Sequence, residues 1–189
     1  MTQSSVIKAI DALQAFPSFA FTYDNRPSTE LLPCWTFECR QEVLDDMRTR
    51  ETRYWTDPES GLQVIAEVTR YADYPAVDWL LYFHNTGTVD TPILETILPL
   101  AVTLDVPGEV ILHHNHGSSC NENDFLPLES KLNSWRPINL SPEGGRSSNG
   151  TFPFFNMAWS GGGLVGAIGW SGQWALHLEQ NQGSEVTIQ

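Results

Sequence analysis

Short runs of alternating apolar and polar residues, each closed by a turn, recur along most of this 189-residue chain. The clearest covers residues 62–71. Leu62, Val64, Ala66 and Val68 fall on one side, and Gln63, Glu67 and Thr69 supply most of the other. A period of two is what a strand with one wet face requires. The preceding run, 49–56, is joined to it by Asp57-Pro58-Glu59-Ser60-Gly61. Proline presets such a turn and glycine releases it, so the two runs read as a hairpin. Upstream, Trp35, Phe37 and Cys39 alternate with Thr36, Glu38 and Arg40, again predicting one dry and one wet face. Further strands are expected over 19–23, 77–85, 93–104 with a break at Pro99, 110–115, 152–158, 164–170 and 174–179. Another is expected to begin at 186–189. Long loops fill 117–128 and 139–150.

Helix is nearly absent. Residues 5–16 carry Val6, Ile10, Leu13 and Phe16 at helical spacing, with Ser4 or Ser5 as N-cap and Pro17 as stop. Many short strands and one terminal helix make an all-β, two-layer sandwich the expected fold, with closure into a barrel as the structural alternative. At this length one domain over 1–189 is the expectation.

The formal charge of −13 repels phosphate backbones, which argues against a nucleic-acid partner. Cys34, Cys39 and Cys120 form no disulfide framework and no zinc spacing, so reduced, partly buried thiols are expected. The first residues lack the basic-then-apolar pattern of a secretion signal, and no run approaches the ~18 apolar residues of a membrane helix. A cytoplasmic location is the resulting expectation. No phosphate loop, dinucleotide fingerprint or nucleophile elbow occurs, and no cofactor is expected.

The segments also carry a resemblance. YWTDPESGLQVIAEVTRYADYPAVDWLLYFHNTGTVDTPILE (54–95), ILHHNHGSSCNENDFLPLE (111–129) and GGRSSNGTFPFFNMAWSGGGLVGAIGWSGQWALHL (144–178) occur in that order. Together they resemble the N-terminal β-supersandwich of glycoside hydrolase family 36 α-galactosidases (melibiases), a galactose mutarotase-like fold. The resemblance covers about residue 35 to the end. In that family the β-domain precedes a (β/α)₈ barrel that carries two catalytic aspartates, roughly 5 Å apart as retaining chemistry needs. Such a barrel takes about 250 residues. The resemblance thus implies an accessory domain, not catalytic alone, that packs on a barrel and shapes the substrate entrance. It implies galactose-containing carbohydrate as ligand and a homo-oligomer for the full-length enzyme. The chain would then lack its last strands and its barrel, leaving an open neighbour position in the sheet near the C-terminus. Two further readings are a free-standing carbohydrate-binding sandwich and a mutarotase-type epimerase. The latter would need His114 or His116 to converge with Glu122 or Glu129.

Candidate site residues follow. Asn121, Asn123 and Asp124 offer short acceptors suited to sugar hydroxyls, against the reading of an Asx-rich loop bonded to itself. Under the resemblance, this segment corresponds to a loop that reaches an active site. Arg146, in a glycine-flanked loop, could grip a carboxylate of a docked domain or a sugar oxygen. Trp159 and Trp170 precede glycine-containing turns, where an exposed ring could stack on a sugar or a docked domain; the remaining tryptophans are expected to be core. His113, His114, His116 and Cys120 cluster in sequence without matching a metal signature, and no metal site is assigned.

Overall fold

The computed structural model describes residue 16 and residues 18–189. The helix expected over 5–16 therefore lies, Phe16 apart, outside the described residues. Among those described the chain is all-β, with one four-residue helix. It divides into two compact units, one ending at Val102 and one running from Thr103 to Gln189.

The first unit holds two antiparallel sheets. In the smaller, β1 (Ala20–Tyr23) lies between β2 (Arg26–Pro27) and β7 (Leu94–Leu98). Asp24 and Asn25, at φ 50° and 58°, make the tight turn between β1 and β2. Asp and Asn tolerate this left-handed backbone better than other non-glycine residues, which is why a two-residue hairpin closes there. Helix α1 (Ser28–Leu31) follows, and the Ser28 hydroxyl accepts the Phe21 N–H at 3.1 Å.

The larger sheet runs in chain order: β3 (Thr36–Asp45), β4 (Arg48–Thr56), β5 (Leu62–Tyr71) and β6 (Val77–Asn85). Its registers place Trp55, Val64 and Phe83 in one row across three strands. These side chains and Leu62 join Phe21, Tyr23, Leu31 and Trp35 in an apolar cluster. Phe21 meets Phe83 edge-on at 5.5 Å, and Tyr23 meets Trp35 the same way at 5.8 Å, the geometry that aromatic quadrupoles favour. The expected turn at 57–61 is present. Asp57 accepts the backbone N–H groups of Glu59 and Ser60, and the Ser60 hydroxyl accepts that of Tyr23 at 2.7 Å. Pro99 does interrupt the 93–104 run; its carbonyl accepts the Trp79 indole N–H at 2.8 Å.

Further along the same face of β4 the core turns ionic. Glu51 is 6% exposed and opposes Val68. Its carboxylate accepts from Arg53 at 2.6 Å and from Arg70 at 3.1 Å. Burial alone would raise its pKa, but the two guanidinium hydrogen bonds together hold it below the usual carboxylate value.

β3 departs from its sequence pattern. Phe37 is 52% exposed and Val43 76%, and nine of the ten residues of the strand are exposed on whichever face they fall. Alternation marks the strand, but β3 sits at the sheet edge and nothing among the described residues covers its apolar side.

The second unit also holds two antiparallel sheets. One has the order β10 (Pro127–Lys131), β9 (Ile111–His116), β12 (Thr151–Trp159), β13 (Gly162–Ala167). The other has the order β11 (Ile138–Leu140), β14 (Leu176–Gln180), β15 (Glu185–Ile188), β8 (Val102–Asp105). Each buries one face: Leu112, Phe155 and Met157 in the first, Leu104, Leu178 and Ile188 in the second. Gly166 lies under Phe155 so closely that a Cβ there would come within 2.2 Å of the ring.

Two sequence expectations change here. The 117–128 and 139–150 segments are not wholly loop: β10 starts at Pro127, and β11 ends at Leu140. The open position expected beside the last strand is filled, because β15 lies between β14 and β8. The Val106 N–H donates to Ser184 O at 2.7 Å just beyond that pairing.

Candidate functional site

Three loops of the second unit are tied together by hydrogen bonds. Gly117 N–H donates to Gly150 O at 2.9 Å, and Ser118 N–H to Ser148 O at 2.8 Å. These bonds join the 117–126 loop to the 141–150 loop. A Cβ at Gly117 would fall 2.1 Å from Ser148 O, so only glycine allows the two backbones this close. The 168–175 segment is joined to the same loop by side chains. Gln173 accepts from Gly145 N–H at 3.2 Å and donates to Pro142 O at 2.9 Å, while the Trp174 indole donates to Ser147 O at 2.7 Å. Residues 27 or more apart in sequence thus share one surface region. It carries five of the six candidates: Asn121, Asn123, Asp124, Arg146 and Trp170.

Their states differ. Asp124 accepts from Ser118 Oγ at 2.8 Å and from the N–H groups of Ser119 at 2.7 Å and Cys120 at 3.1 Å. The Ser119 N–H, then the Ser118 hydroxyl, hold its carboxyl below the usual range. Asn121 Oδ1 likewise accepts Asn123 N–H at 2.8 Å. These oxygens organise the loop itself, as in an Asx turn. Arg146 is exposed, and Trp170 is 65% exposed. Trp159 is corrected. It is 8% exposed at the end of β12, where Gly162 lies against its indole, so its ring is core and not a surface platform. The unexpected exposed tryptophan is Trp135, at 85%.

The outer face of the β10-β9-β12-β13 sheet carries a second feature that sequence reading missed. Register places Glu129, His113, Asn156 and Val165 in one row across the four strands. They border an open cleft of about 250 Å³, with Phe154 beside them. His113 Nδ1 lies 3.2 Å from Glu129 Oε1. Phe154 stacks on Phe152 at 5.2 Å, and Phe152 meets Phe125 edge-on at 5.5 Å, which links this face to the 117–126 loop. The Phe152–Phe154 spacing of two was the available signal, since such residues share a strand face. The row itself needed the cross-strand register.

The imidazole facing Glu129 is therefore His113, not His114 or His116. His114 lies opposite Leu128 and contacts Ser130 Oγ at 3.2 Å. Burial, and secondarily the nearby His116, lower its pKa and so favour the neutral imidazole. Among the described residues no three His, Cys, Asp or Glu side chains converge as metal ligands. All three cysteines are free, and they are exposed rather than partly buried. The cleft offers one carboxylate, Glu129. Hydrogen bonding and ring stacking are within its means.

No protein-family model matches the chain, and no curated protein matches it. Its fold does recur in solved structures: it is a fold found within glycoside hydrolase family 36 α-galactosidases. The α-galactosidase AgaA of Geobacillus stearothermophilus superposes on 91% of this chain with a TM-score of 0.62 at 13% identity. A variant of that enzyme with stachyose bound gives 0.63. The Lactobacillus brevis α-galactosidase gives 0.63 at 12% identity. The chain spans about a quarter of these enzymes, 26% and 25% of their respective lengths. At such identities the likeness establishes the fold and leaves activity to be argued separately.

Proposed function

We propose that this chain is the N-terminal supersandwich domain of a melibiase-type α-galactosidase, an accessory domain that packs on a catalytic barrel and shapes the substrate entrance. The observation carrying this reading is coverage: 91% of the chain matches about one quarter of each of two α-galactosidases. The barrel, a galactose-containing substrate and further copies of the full-length enzyme are its partners in this reading, and the cytoplasm its location. The tied loop cluster, with exposed Arg146 and Trp170, supplies a docking surface whose geometry is fixed before a partner arrives. Asn121, Asn123 and Asp124 shape the adjoining loop.

The reading frame after the Gln189 codon tests this directly. A segment of about 250 residues with alternating strands and helices and two aspartates at strand ends is expected. A stop codon or an unrelated domain there would remove the proposal. The purified 189-residue chain is expected to show no turnover of an aryl α-galactoside.

A second reading, a carbohydrate-binding module, draws support from the exposed Phe154 beside His113, Asn156 and Glu129. Titration with galactosides separates the two. Saturable binding lost in Phe154→Ala or Trp170→Ala favours the module, and silence at millimolar sugar removes it.

A further inference from the structure

The edge strand β3 has an unusual combination of properties. It is ten residues long, borders β4 alone among the described strands, and is exposed along nearly its whole length. A strand edge of this kind offers unpaired N–H and C=O groups to another strand, and proteins commonly blunt it with charge. Here the charges are arranged differently. Glu38 and Arg40 share one face and have opposite sign, with Cys39 between them on the other face. In the single chain they pair with each other at 3.3 Å, both well exposed, with Arg40 also over the Tyr54 ring.

We propose that β3 pairs antiparallel with β3 of a second copy of this chain, centred on Cys39, to form one continuous eight-stranded sheet. An isologous antiparallel pair has its two-fold axis normal to the sheet, so residues on the same face oppose each other. Centring on Cys39 sets Glu38 against Arg40 of the second copy, and Arg40 against its Glu38, while Cys39 meets Cys39. Phe37 then opposes Gln41, and Thr36 opposes Glu42. The neighbouring registers are poorer. Centring on Arg40 opposes Arg40 to Arg40, Glu38 to Glu42 and Glu42 to Glu38, three like-charge contacts. Centring on Gln41 also brings opposite charges together, Arg40 against Glu42, but it sets Glu38 against Leu44 and Phe37 against Asp45 and crosses the irregularity between Val43 and Asp45. Of the two charge-complementary registers only the one centred on Cys39 stays within the regular part of the strand, and this self-complementarity favours a second copy over an unrelated strand. The contact is small and forms against a chain charge of −13, so the dimer belongs to the weak, concentration-dependent class. This inference does not depend on the enzymatic reading above.

The test is sedimentation of the full chain across a concentration series up to millimolar, with three charge variants. Glu38→Arg and Arg40→Glu each turn both contacts repulsive and weaken the dimer about tenfold or more. The double variant Glu38→Arg/Arg40→Glu restores it. Both side chains are exposed, and circular dichroism confirms that each variant folds. In parallel, variants retaining one cysteine are treated with a short bismaleimide. Cys39 is expected to give a covalent dimer in far higher yield than Cys34 or Cys120. A chain that stays monomeric at millimolar concentration overturns the proposal. So do a dimer indifferent to both single swaps, a double swap that fails to restore association, and equal crosslinking at all three cysteines.

Discussion

The two units divide their aromatic residues differently, although the first also exposes Phe37, Tyr74 and Tyr82 and the second also buries Phe155, Trp159 and Trp174. In the first, Phe21, Tyr23 and Trp35 are buried and meet Phe83 and Trp55 within one cluster. In the second, Val106, Val110, Leu112, Met157, Leu178, Val186 and Ile188 form the fully buried interior, while Phe125, Phe154, Trp135 and Trp170 face solvent. The first unit's rings stabilise its fold; the outward rings of the second are available for contacts with other molecules. These outward rings are the physical ground, independent of any relative, for the recognition surface proposed in the second unit.

The contrast can be broken in four ways. The largest effect belongs to Phe21→Ala, which removes a ring in contact with Phe19, Trp35 and Phe83. It is expected to cost about 3–5 kcal/mol in denaturant unfolding. A loss under 1 kcal/mol would mean the aromatic cluster is not the first unit's main support.

Next comes Glu51→Gln. It leaves Arg53 and Arg70 facing each other without the intervening carboxylate, at a cost of roughly 2–4 kcal/mol. The sign with pH follows from the lowered folded-state pKa. The carboxylate's contribution is complete above its unfolded pKa of about 4.3 and is lost as pH falls through the lower folded value. Stability of the parent chain should therefore drop in acid by a component that Glu51→Gln lacks. Parallel pH profiles would show that the ionic end of this sheet contributes nothing.

Gly117→Ala sharpens the comparison from the other side. Its Cβ meets backbone, not a yielding side chain, so the clamp between the 117–126 and 141–150 loops must open. A loss of about 1–3 kcal/mol is expected, with faster amide exchange at Ser118. Unchanged exchange would show that the loops are not held together this way. Asp124 gives a milder probe of the same region. Protection of the Ser119 and Cys120 amides should persist above the ordinary carboxyl range and fade as pH falls through the depressed pKa of Asp124.

The smallest stability effect is expected for Trp170→Ala. Its ring is largely in solvent, so unfolding should shift by no more than ~0.5 kcal/mol. A loss of several kcal/mol would put this ring with the structural aromatics of the first unit and remove it from the recognition surface.

Much of the strand order was legible because alternation is a local property. β4, β5 and the turn between them sit within a residue or two of where 49–56, Asp57–Gly61 and 62–71 placed them. β10 was hidden because it opens on Pro127 and Leu128, inside the 117–128 segment that read as loop. Exposure was less legible than secondary structure. Trp159 and Trp170 have similar neighbours in sequence, yet one is packed over Gly162 and the other faces water. Glu129 and His113 meet only because β9 and β10 pair in one register, information that no single strand contains.

The position of β15 has a temporal side. β8 has β15 as its sheet neighbour, and Thr103 reaches Thr187, 84 residues further along, across that pairing. On a ribosome, β8 emerges long before the strand that completes its ladder. The first unit contains all partners of its own sheets by Val102, so it can close while synthesis continues. The second must hold β8 in waiting until β15 clears the exit tunnel. Synthesis speed through residues 106–184 therefore sets how long this apolar strand stays unpaired, and with it the window in which a chaperone or a misfolding partner can reach it.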